Sequence, residues 1–409
     1  MLSSPRSRAA VGVLCLLLAV TSLFLLMLPA GIIPTLSKSK EDSPADKIVL
    51  PQFSPVSLSI GGLSAQSAVL IDADSGLVLY EQKADVPLPM ASTTKIMTAL
   101  CAVDLADVDT LITVDRRAVG VEGSSIYLKE GEQLPLLDLL YALLLASAND
   151  AAAAIAIGTA GSIEAFAAYM NQKADDLGLT NTSFENPHGL DAEEHYTTAH
   201  DLALIARQLL RHPLLKTIVS TKKICLSPTN LCDGRVLVNH NKLLRTYEGA
   251  IGVKTGYTKR SGRCLVSAAE QDGLTLIAVT LNAPDDWQDH TRLLDAGFET
   301  YESRTLCATD EFCSLLPVVS GKEDYVLVRN REALRVTLPR RDIDIDCQIE
   351  LPRFTYAGVA AGQSMGRLIF WGDVDQDDQK EIIASVDLCA LYSVPVREKQ
   401  SIWRRIFGK

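Results

Sequence analysis

Three short motifs in this 409-residue chain bring together residue types that can do chemistry. They are Ser92-Thr93-Thr94-Lys95, Ser147-Ala148-Asn149 and Lys254-Thr255-Gly256, in that order. A serine hydroxyl attacks a carbonyl only after a base takes its proton. A lysine three residues further along a helix shares a face with that serine and can reach it. Lysine serves as the base only where burial and nearby positive charge lower its pKa. Lys254 can supply that charge and can also hold an anionic group on a substrate. Ser147 can relay a proton between Lys95 and a leaving amine. Asn149 can orient Lys95 and bind an amide. The tetrahedral oxyanion of such a reaction needs two N–H donors, and those of Ser92 and Tyr257 are the candidates.

The motifs differ in weight. Ser-x-x-Lys alone discriminates little, since Ser37–Lys40 and Ser220–Lys223 also match. Ser37 lies in a charged, Pro- and Ser-containing stretch, and Ser220 lies among polar residues. Ser92 instead opens an apolar helical pattern through Ile96, Met97, Leu100 and Cys101. A helix N-terminus also favours negative charge developing on the serine.

The elements that must position these residues read as follows. Ala68-Val69-Leu70-Ile71, a turn through Asp72–Gly76, and Leu77-Val78-Leu79-Tyr80 form a hairpin signal. Residues 134–158 are Ala/Leu-rich and predict buried helices. Thr197 or Thr198 predicts a helix start. Strands return through Lys254, at Cys264–Ala269 and at Leu274–Leu281, the last two joined by Gln271-Asp272-Gly273. A helix is expected at Asp289–Thr300. Strands, then helices, then strands and a helix make an α+β fold: an antiparallel sheet with a helical lobe over residues 62–302. Residues 310–392, with short strands and Pro and Gly breaks, predict a second, small β-rich domain.

Arg6 and Arg8 precede an apolar run from Ala9 to Ile33, the pattern of export. Two readings of residues 1–33 compete. A cleaved signal peptide lacks a good A-x-A at Val20-Thr21-Ser22 or Leu28-Pro29-Ala30. An uncleaved anchor is long enough to span a bilayer. Either places the body outside the cytoplasm, with residues 34–61 as linker. At the other end, residues 393–409 form a basic tail with Ile402, Trp403, Ile406 and Phe407 on one helical face. A basic amphipathic helix can rest on an anionic membrane surface. The net charge of −11 and the lack of a basic, aromatic-studded stripe exclude a nucleic-acid binder. Beyond Cys15, the spacings Cys225/Cys232 and Cys307/Cys313 allow oxidised pairs in an exported protein, while Cys101 and Cys264 read as buried thiols. His188, His195 and His200 match no metal spacing, so structural or loop roles are expected, and Asn239-His240-Asn241 is expected to order a loop near the site. Gly123-Ser124-Ser125 reads equally as a cleft wall or a turn.

The ordered triple resembles the motifs of penicillin-recognising serine enzymes. More narrowly, the chain is similar to the low-molecular-mass D-alanyl-D-alanine carboxypeptidases (penicillin-binding proteins of peptidase family S11). Residues Met90–Ala99, Leu144–Ala151, Asn186-Pro187-His188-Gly189-Leu190 and Lys254–Thr258 carry the likeness, over about residues 62–302. The resemblance implies a β-lactamase/transpeptidase-like domain and a peptidoglycan stem peptide ending in D-Ala-D-Ala as substrate. It implies catalytic Ser92, Lys95, Ser147 and Asn149, and substrate-binding Lys254, Thr255, Gly256 and Tyr257. Covalent capture by β-lactam antibiotics follows, and no cofactor or metal is called for. One position departs from the pattern. Asp286, before Trp287, stands where relatives often carry a carboxylate-binding Arg, and an acid there would repel a carboxylate unless Lys254, Thr255 or Arg263 compensates. Two other readings stand beside the carboxypeptidase. A β-lactamase-like hydrolase needs a deacylating Glu, for which Glu185 is the one tempting residue. A catalytically weak wall-binding scaffold draws its support from Asp286.

Overall fold

The computed structural model describes residues 58, 60–374, 376 and 379–398. The apolar N-terminal run, Cys15, most of the 34–61 segment and the end of the basic tail lie outside the described residues.

A continuous apolar run needs burial on both faces, and strand β1 (Ser67–Asp72) obtains it at a central position of the first sheet. Its partners are β2 (Val78–Gln82) and β9 (Leu274–Leu281), both antiparallel. The expected hairpin turn is an Asx turn, with the Asp72 carboxylate accepting from the Asp74 and Ser75 amides. Strands β7 (Ala250–Thr258) and β8 (Gly262–Gln271) complete the order β2-β1-β9-β8-β7, so β7 is an edge. The turn at Asp272-Gly273 joins β8 to β9 as the sequence predicts.

Helices cover this sheet unequally. On one face sit α1 (Lys95–Leu105), α2 (Leu136–Leu145), α3 (Asn149–Ala160), α4 (Ile163–Asp176), α5 (Ala199–Arg211) and α6 (Pro213–Ser220), followed in the chain by the antiparallel pair β5 (Lys223–Leu226) and β6 (Arg235–Val238) and a one-turn helix, α7 (Leu243–Thr246). Their apolar side chains meet Val69, Ile71, Val266, Ile277 and Val279 in one core. Helix α3 is buried from Asn149 to Ile157, which is why its sequence is apolar on every side. Among the described residues no single helix is long and apolar enough to cross a membrane. The Thr198 hydroxyl caps α5 by accepting from the Asp201 amide, settling the choice between Thr197 and Thr198. On the opposite face one helix, α8 (Asp286–Thr300), packs Leu293, Leu294 and Phe298 on Leu70, Leu276 and Ala278. It starts three residues earlier than Asp289, because Asp286 and Asp289 both suit the positive end of a helix.

Helix α8 runs without a break into β10 (Tyr301–Cys307). The remaining strands are β11 (Cys313–Val319), β12 (Tyr325–Asn330), β13 (Leu334–Pro339), β14 (Ile345–Glu350), β15 (Thr355–Tyr356), β16 (Ser364–Gly372) and β17 (Glu381–Ala390). Six of these make a sheet in the order β14-β16-β17-β12-β11-β15, while β10 pairs with β13. Leu316, Val326, Val328, Phe370, Ile383 and Leu388 belong to its separate core. The start of the basic tail docks on this layer, with the Arg397 amide donating to the Ser320 carbonyl.

The cysteine pairs allowed by spacing are not formed. Cys225, Cys232, Cys307 and Cys313 are free thiols, as are Cys101 and Cys264. The Cys232 sulfur turns to the Gly234 carbonyl and that of Cys307 to the Ala308 carbonyl.

One buried ion pair braces the segment that leads from β3 (Leu111–Thr113) to β4 (Gln133–Pro135). Glu132, fully buried, takes both forks of Arg235 at 2.6 and 2.9 Å, and Thr229 donates to it at 2.8 Å. Removing one member of such a pair strands the other charge. Glu132→Ala should lower unfolding free energy by about 3 kcal/mol or more, whereas Arg117→Ala, which breaks only the exposed pair with Asp115, should leave it nearly unchanged. Denaturant titration distinguishes the two.

Candidate active site

The Ser92 motif folds as a turn of 3-10 helix, Ala91–Thr94, leading into α1. Three residues per turn stack Lys95 close to Ser92, and Lys95 Nζ lies 2.8 Å from Ser92 Oγ. The ammonium is fully buried. Its other two contacts are with Asn149 Oδ1 at 2.7 Å and the His188 carbonyl at 2.5 Å. Both partners only accept, so they claim two N–H bonds of the amine. The third tetrahedral position faces Ser92. In neutral Lys95 that position is a lone pair aimed at the Ser92 hydroxyl, the geometry a general base requires. Burial first, and the Lys254 charge second, hold the Lys95 pKa well below its ordinary value, with Asp150 opposing.

Each partner is fixed in turn. Asn149 begins α3, its amide donating to the Glu122 carbonyl and its backbone N–H to the Ser124 carbonyl. Its neighbour Asp150 accepts from Ser125 Oγ at 2.6 Å and from the Leu128 amide at 3.0 Å. The Gly123-Ser124-Ser125 stretch is thus bonded to the first two residues of α3. His188 belongs to a loop in which Asn186 Oδ1 accepts from the Gly189 amide at 2.7 Å and Thr98 Oγ1 donates to the Pro187 carbonyl at 2.6 Å. Gly189, with φ +84°, meets the Ala91 carbonyl so closely that no Cβ fits.

On the sheet side, β7 brings Lys254 beneath the site. Its Nζ is buried, donates to the Thr255 carbonyl at 2.9 Å, and has a pKa lowered by burial to about 7. At Gly256 an added Cβ would lie 3.0 Å from the Ser92 nitrogen and 3.1 Å from the Met90 carbonyl. Any side chain there would press on the Ser92 backbone, which would have to give by a few tenths of an ångström. Tyr257, largely exposed, follows at the rim. Ser147 is buried with φ +59°, and among the described residues its side chain hydrogen-bonds neither lysine. Structure thus brings Ser92, Lys95 and Asn149 into direct contact, with Gly256 against the Ser92 backbone. Lys254 joins them electrostatically, and Ser147 joins by no hydrogen bond.

Asp286 behaves differently from a bare acid. Arg263, opposite Tyr257 in the β7–β8 register, donates to its Oδ1 from Nε at 2.9 Å and from Nη2 at 2.7 Å. Asp286 is buried, while the Arg263 side chain keeps 41% of its surface exposed. The Trp287 ring carries Arg263 and Lys242 each 5.8 Å from its centroid. The repulsion expected at Asp286 is therefore offset by a paired, exposed arginine. Glu185 is exposed, and its backbone amide donates to His195 Nδ1. The two groups that sequence reasoning missed are the His188 carbonyl and the Thr94–His195 contact. A backbone carbonyl has no side-chain signature. Asn239 does order its loop, donating to the Val219 and Thr221 carbonyls. The hydroxyl of Ser220, from another Ser-x-x-Lys match, donates to the Thr217 carbonyl at the end of α6.

Fold and cleft define a class: serine hydrolases with a lysine-paired hydroxyl at the junction of an antiparallel sheet and a helical lobe. A family model described as D-alanyl-D-alanine carboxypeptidase matches residues 55–285. The chain is 34% identical to D-alanyl-D-alanine carboxypeptidase DacF of Bacillus subtilis over 79% of its own length and 86% of that protein. It is 33% identical to DacC of Escherichia coli, covering 78% and 83% of the two chains. Among solved structures, penicillin binding protein 5 of Haemophilus influenzae superposes with a TM-score of 0.69 at 27% identity, over 83% of this chain and all of that one. The D-alanyl-D-alanine carboxypeptidase of Mycobacterium tuberculosis gives 0.56 at 34% identity, over 61% and 96%. This chain belongs to the D-alanyl-D-alanine carboxypeptidase family.

The electrostatics carry a signed pH dependence. A lysine can act as base only when neutral, so with Lys95 in that role the rate at which an activated ester acylates Ser92 should rise with pH and level off well below 10.5. Lys254, charged below about 7, depresses the Lys95 pKa. Lys254→Gln should therefore move the rising limb to higher pH. A profile that superimposes on wild type would show that the two lysines do not communicate.

Proposed function

We propose that this chain removes the terminal D-alanine from peptidoglycan stem peptides through an acyl-enzyme on Ser92. The observation that carries the reading is the Lys95 amine held by Asn149 and His188 with its free position on Ser92 Oγ, in a chain of this family. Lys95 takes the hydroxyl proton as Ser92 attacks the carbonyl of the penultimate D-Ala. The oxyanion is held by the Ser92 and Tyr257 N–H groups, each contributing about 3–4 kcal/mol to lowering the barrier. Collapse breaks the peptide bond, and the departing amine receives the proton from Lys95, directly or through the Ser147 hydroxyl. Water, deprotonated by the same lysine, then hydrolyses the ester and frees Ser92. Lys254, Thr255 and the exposed guanidinium of Arg263 supply positive and donor groups for the terminal carboxylate. Penicillins, whose strained amide mimics the scissile bond, acylate the same serine.

The extended stem peptide adds to the open edge of β7, where main-chain pairing supplies affinity. Catalysis is assigned to residues 62–302, with residues 310–392 as a β-rich appendage. An exported, membrane-associated protein facing the cell wall fits the basic and apolar N-terminus, as signal peptide or anchor, and the amphipathic tail after residue 393. No observation favours the β-lactamase-like or scaffold reading, since Glu185 is exposed and Asp286 is ion-paired.

Intact-protein mass spectrometry after incubation with benzylpenicillin should show one adduct on Ser92, absent in Ser92→Ala. Lys95→Ala should slow its formation by about 10²–10⁴-fold, and D-Ala release from a stem pentapeptide should fall in step. Arg263→Ala should raise KM more than it lowers kcat. A wild-type protein that forms no adduct, or a Lys95→Ala variant that acylates at the wild-type rate, refutes the reading.

A further inference from the structure

We propose that His195 is a positioning residue for the oxyanion hole, acting through the Thr94 hydroxyl on the carbonyl of Ala91. The inference rests on the acyl-transfer reading above and concerns how its first oxyanion donor is aimed.

The peptide unit between Ala91 and Ser92 is planar, so its C=O and N–H point in opposite directions. Whatever fixes the Ala91 carbonyl therefore fixes the Ser92 N–H. Ala91 needs such fixing. Its φ is +48°, a region that a non-glycine residue occupies only when its surroundings demand it. Two groups make that demand. Gly189 abuts the carbonyl from one side. Thr94 Oγ1 donates to it at 2.8 Å from the other. Thr94 is itself buried, so the direction of its single proton decides whether the carbonyl receives this side-chain bond in addition to the backbone bonding of the 3-10 turn.

His195 sets that direction. The ring is buried, and Thr94 Oγ1 lies 2.8 Å from its Nε2. Its Nδ1 faces the Glu185 backbone N–H at 3.0 Å. A backbone N–H can only donate, so Nδ1 must present a lone pair. Burial keeps the ring neutral, lowering its pKa to about 4. A neutral imidazole with a lone pair at Nδ1 carries its proton on Nε2. His195 therefore donates to Thr94 Oγ1 and cannot accept from it. The Thr94 proton is left for Ala91. The chain of donors runs one way: Glu185 N–H to His195, His195 to Thr94, Thr94 to the Ala91 carbonyl. Bonds aligned in this sense polarise and strengthen one another. Phe184 holds the ring edge-on at 5.9 Å between centroids, so the imidazole has a fixed pose from which to donate.

His195 touches no reacting atom. It and Lys95 meet the reaction from opposite sides: the lysine works on the Ser92 side chain, the histidine on the Ser92 backbone. This separates the expected phenotype from that of a base mutant, and from that of a residue that only stabilises the fold.

The test uses the full chain and benzylpenicillin as probe. Thr94→Val removes the hydroxyl at constant shape, and His195→Phe removes both ring nitrogens while keeping an aromatic ring beside Phe184. Thr94→Ser keeps the hydroxyl. His195→Gln can restore an N–H donor. Stopped-flow acylation should show the first-order acylation constant falling about tenfold or more in Thr94→Val and His195→Phe, with the preceding non-covalent dissociation constant little changed. Thr94→Ser and His195→Gln should recover most of the rate. Difference infrared spectra of the acyl-enzyme should show the ester carbonyl stretch moving to higher frequency in the two impaired variants, because its hydrogen bond to Ser92 N–H has weakened. An unchanged stretch in Thr94→Val, or a Thr94→Ser as slow as Thr94→Val, overturns the proposal even where rates fall. Should His195→Phe not fold, the Thr94 pair decides alone. A wild-type enzyme that is not acylated at Ser92 would instead overturn the parent reading, which keeps the two failures apart.

Discussion

Everything in the cleft depends on taking one amine out of water and giving it two partners that can only accept. Moving an ammonium from water into a protein interior costs several kcal/mol unless it is paired. Lys95 is given no carboxylate in contact. It is given an amide oxygen and a peptide carbonyl, which satisfy hydrogen bonds without stabilising the charge as an anion would. The outcome is a lysine that exists comfortably as a neutral amine. A carboxylate in contact would have made it an inert ion pair, as Glu132 does for Arg235.

That requirement explains why the site stands where three separate layers meet. The amide comes from the first residue of a helix buried on all sides. The carbonyl comes from a loop clamped to α1 by Thr98. The second lysine comes from the edge strand of the sheet, which passes so near Ser92 that a side chain at position 256 would press on the serine's backbone. Two ammonium groups held close in a dry space oppose each other's charge, and the packed lobe and sheet must hold them there. The core around Ile96, Leu140, Ile155 and Val266 is thus part of the electrostatics as well as of the fold.

Much of this is legible in the amino-acid sequence. The antiparallel sheet and its helical cover follow from where apolar runs alternate with turn residues, and Thr198 is a cap by type. Ser92, Lys95 and Asn149 are recognisable because their chemistry resides in side chains at fixed spacing. Ser147 was recognisable by the same logic, yet its hydroxyl bonds neither lysine, since a proton relay needs proximity that spacing does not specify. What escaped notice resides in the backbone or in long-range pairing. The His188 carbonyl could have belonged to any residue type. Thr94 and His195 meet across a hundred positions, and nothing local to either announces the other. Asp286 looked hostile to an anion because its Arg263 partner sits on a neighbouring strand, visible only once β8 and α8 are packed. Cysteine spacing misled for a related reason, because nearness along the chain does not orient sulfur atoms toward each other.

The passage from α8 into β10 has a further meaning. Thr300 ends the helix and Tyr301 begins the strand, with no residue between them. Tyr301 is fully buried, and Arg340 donates to the carbonyls of Phe298 and Tyr301, bridging the join from β13's end. Such a seam is a weld rather than a hinge. Arg340 ties the last turn of the helix that backs the five-stranded sheet to the first strand beyond it, and no linker residue stands between them to lengthen the join.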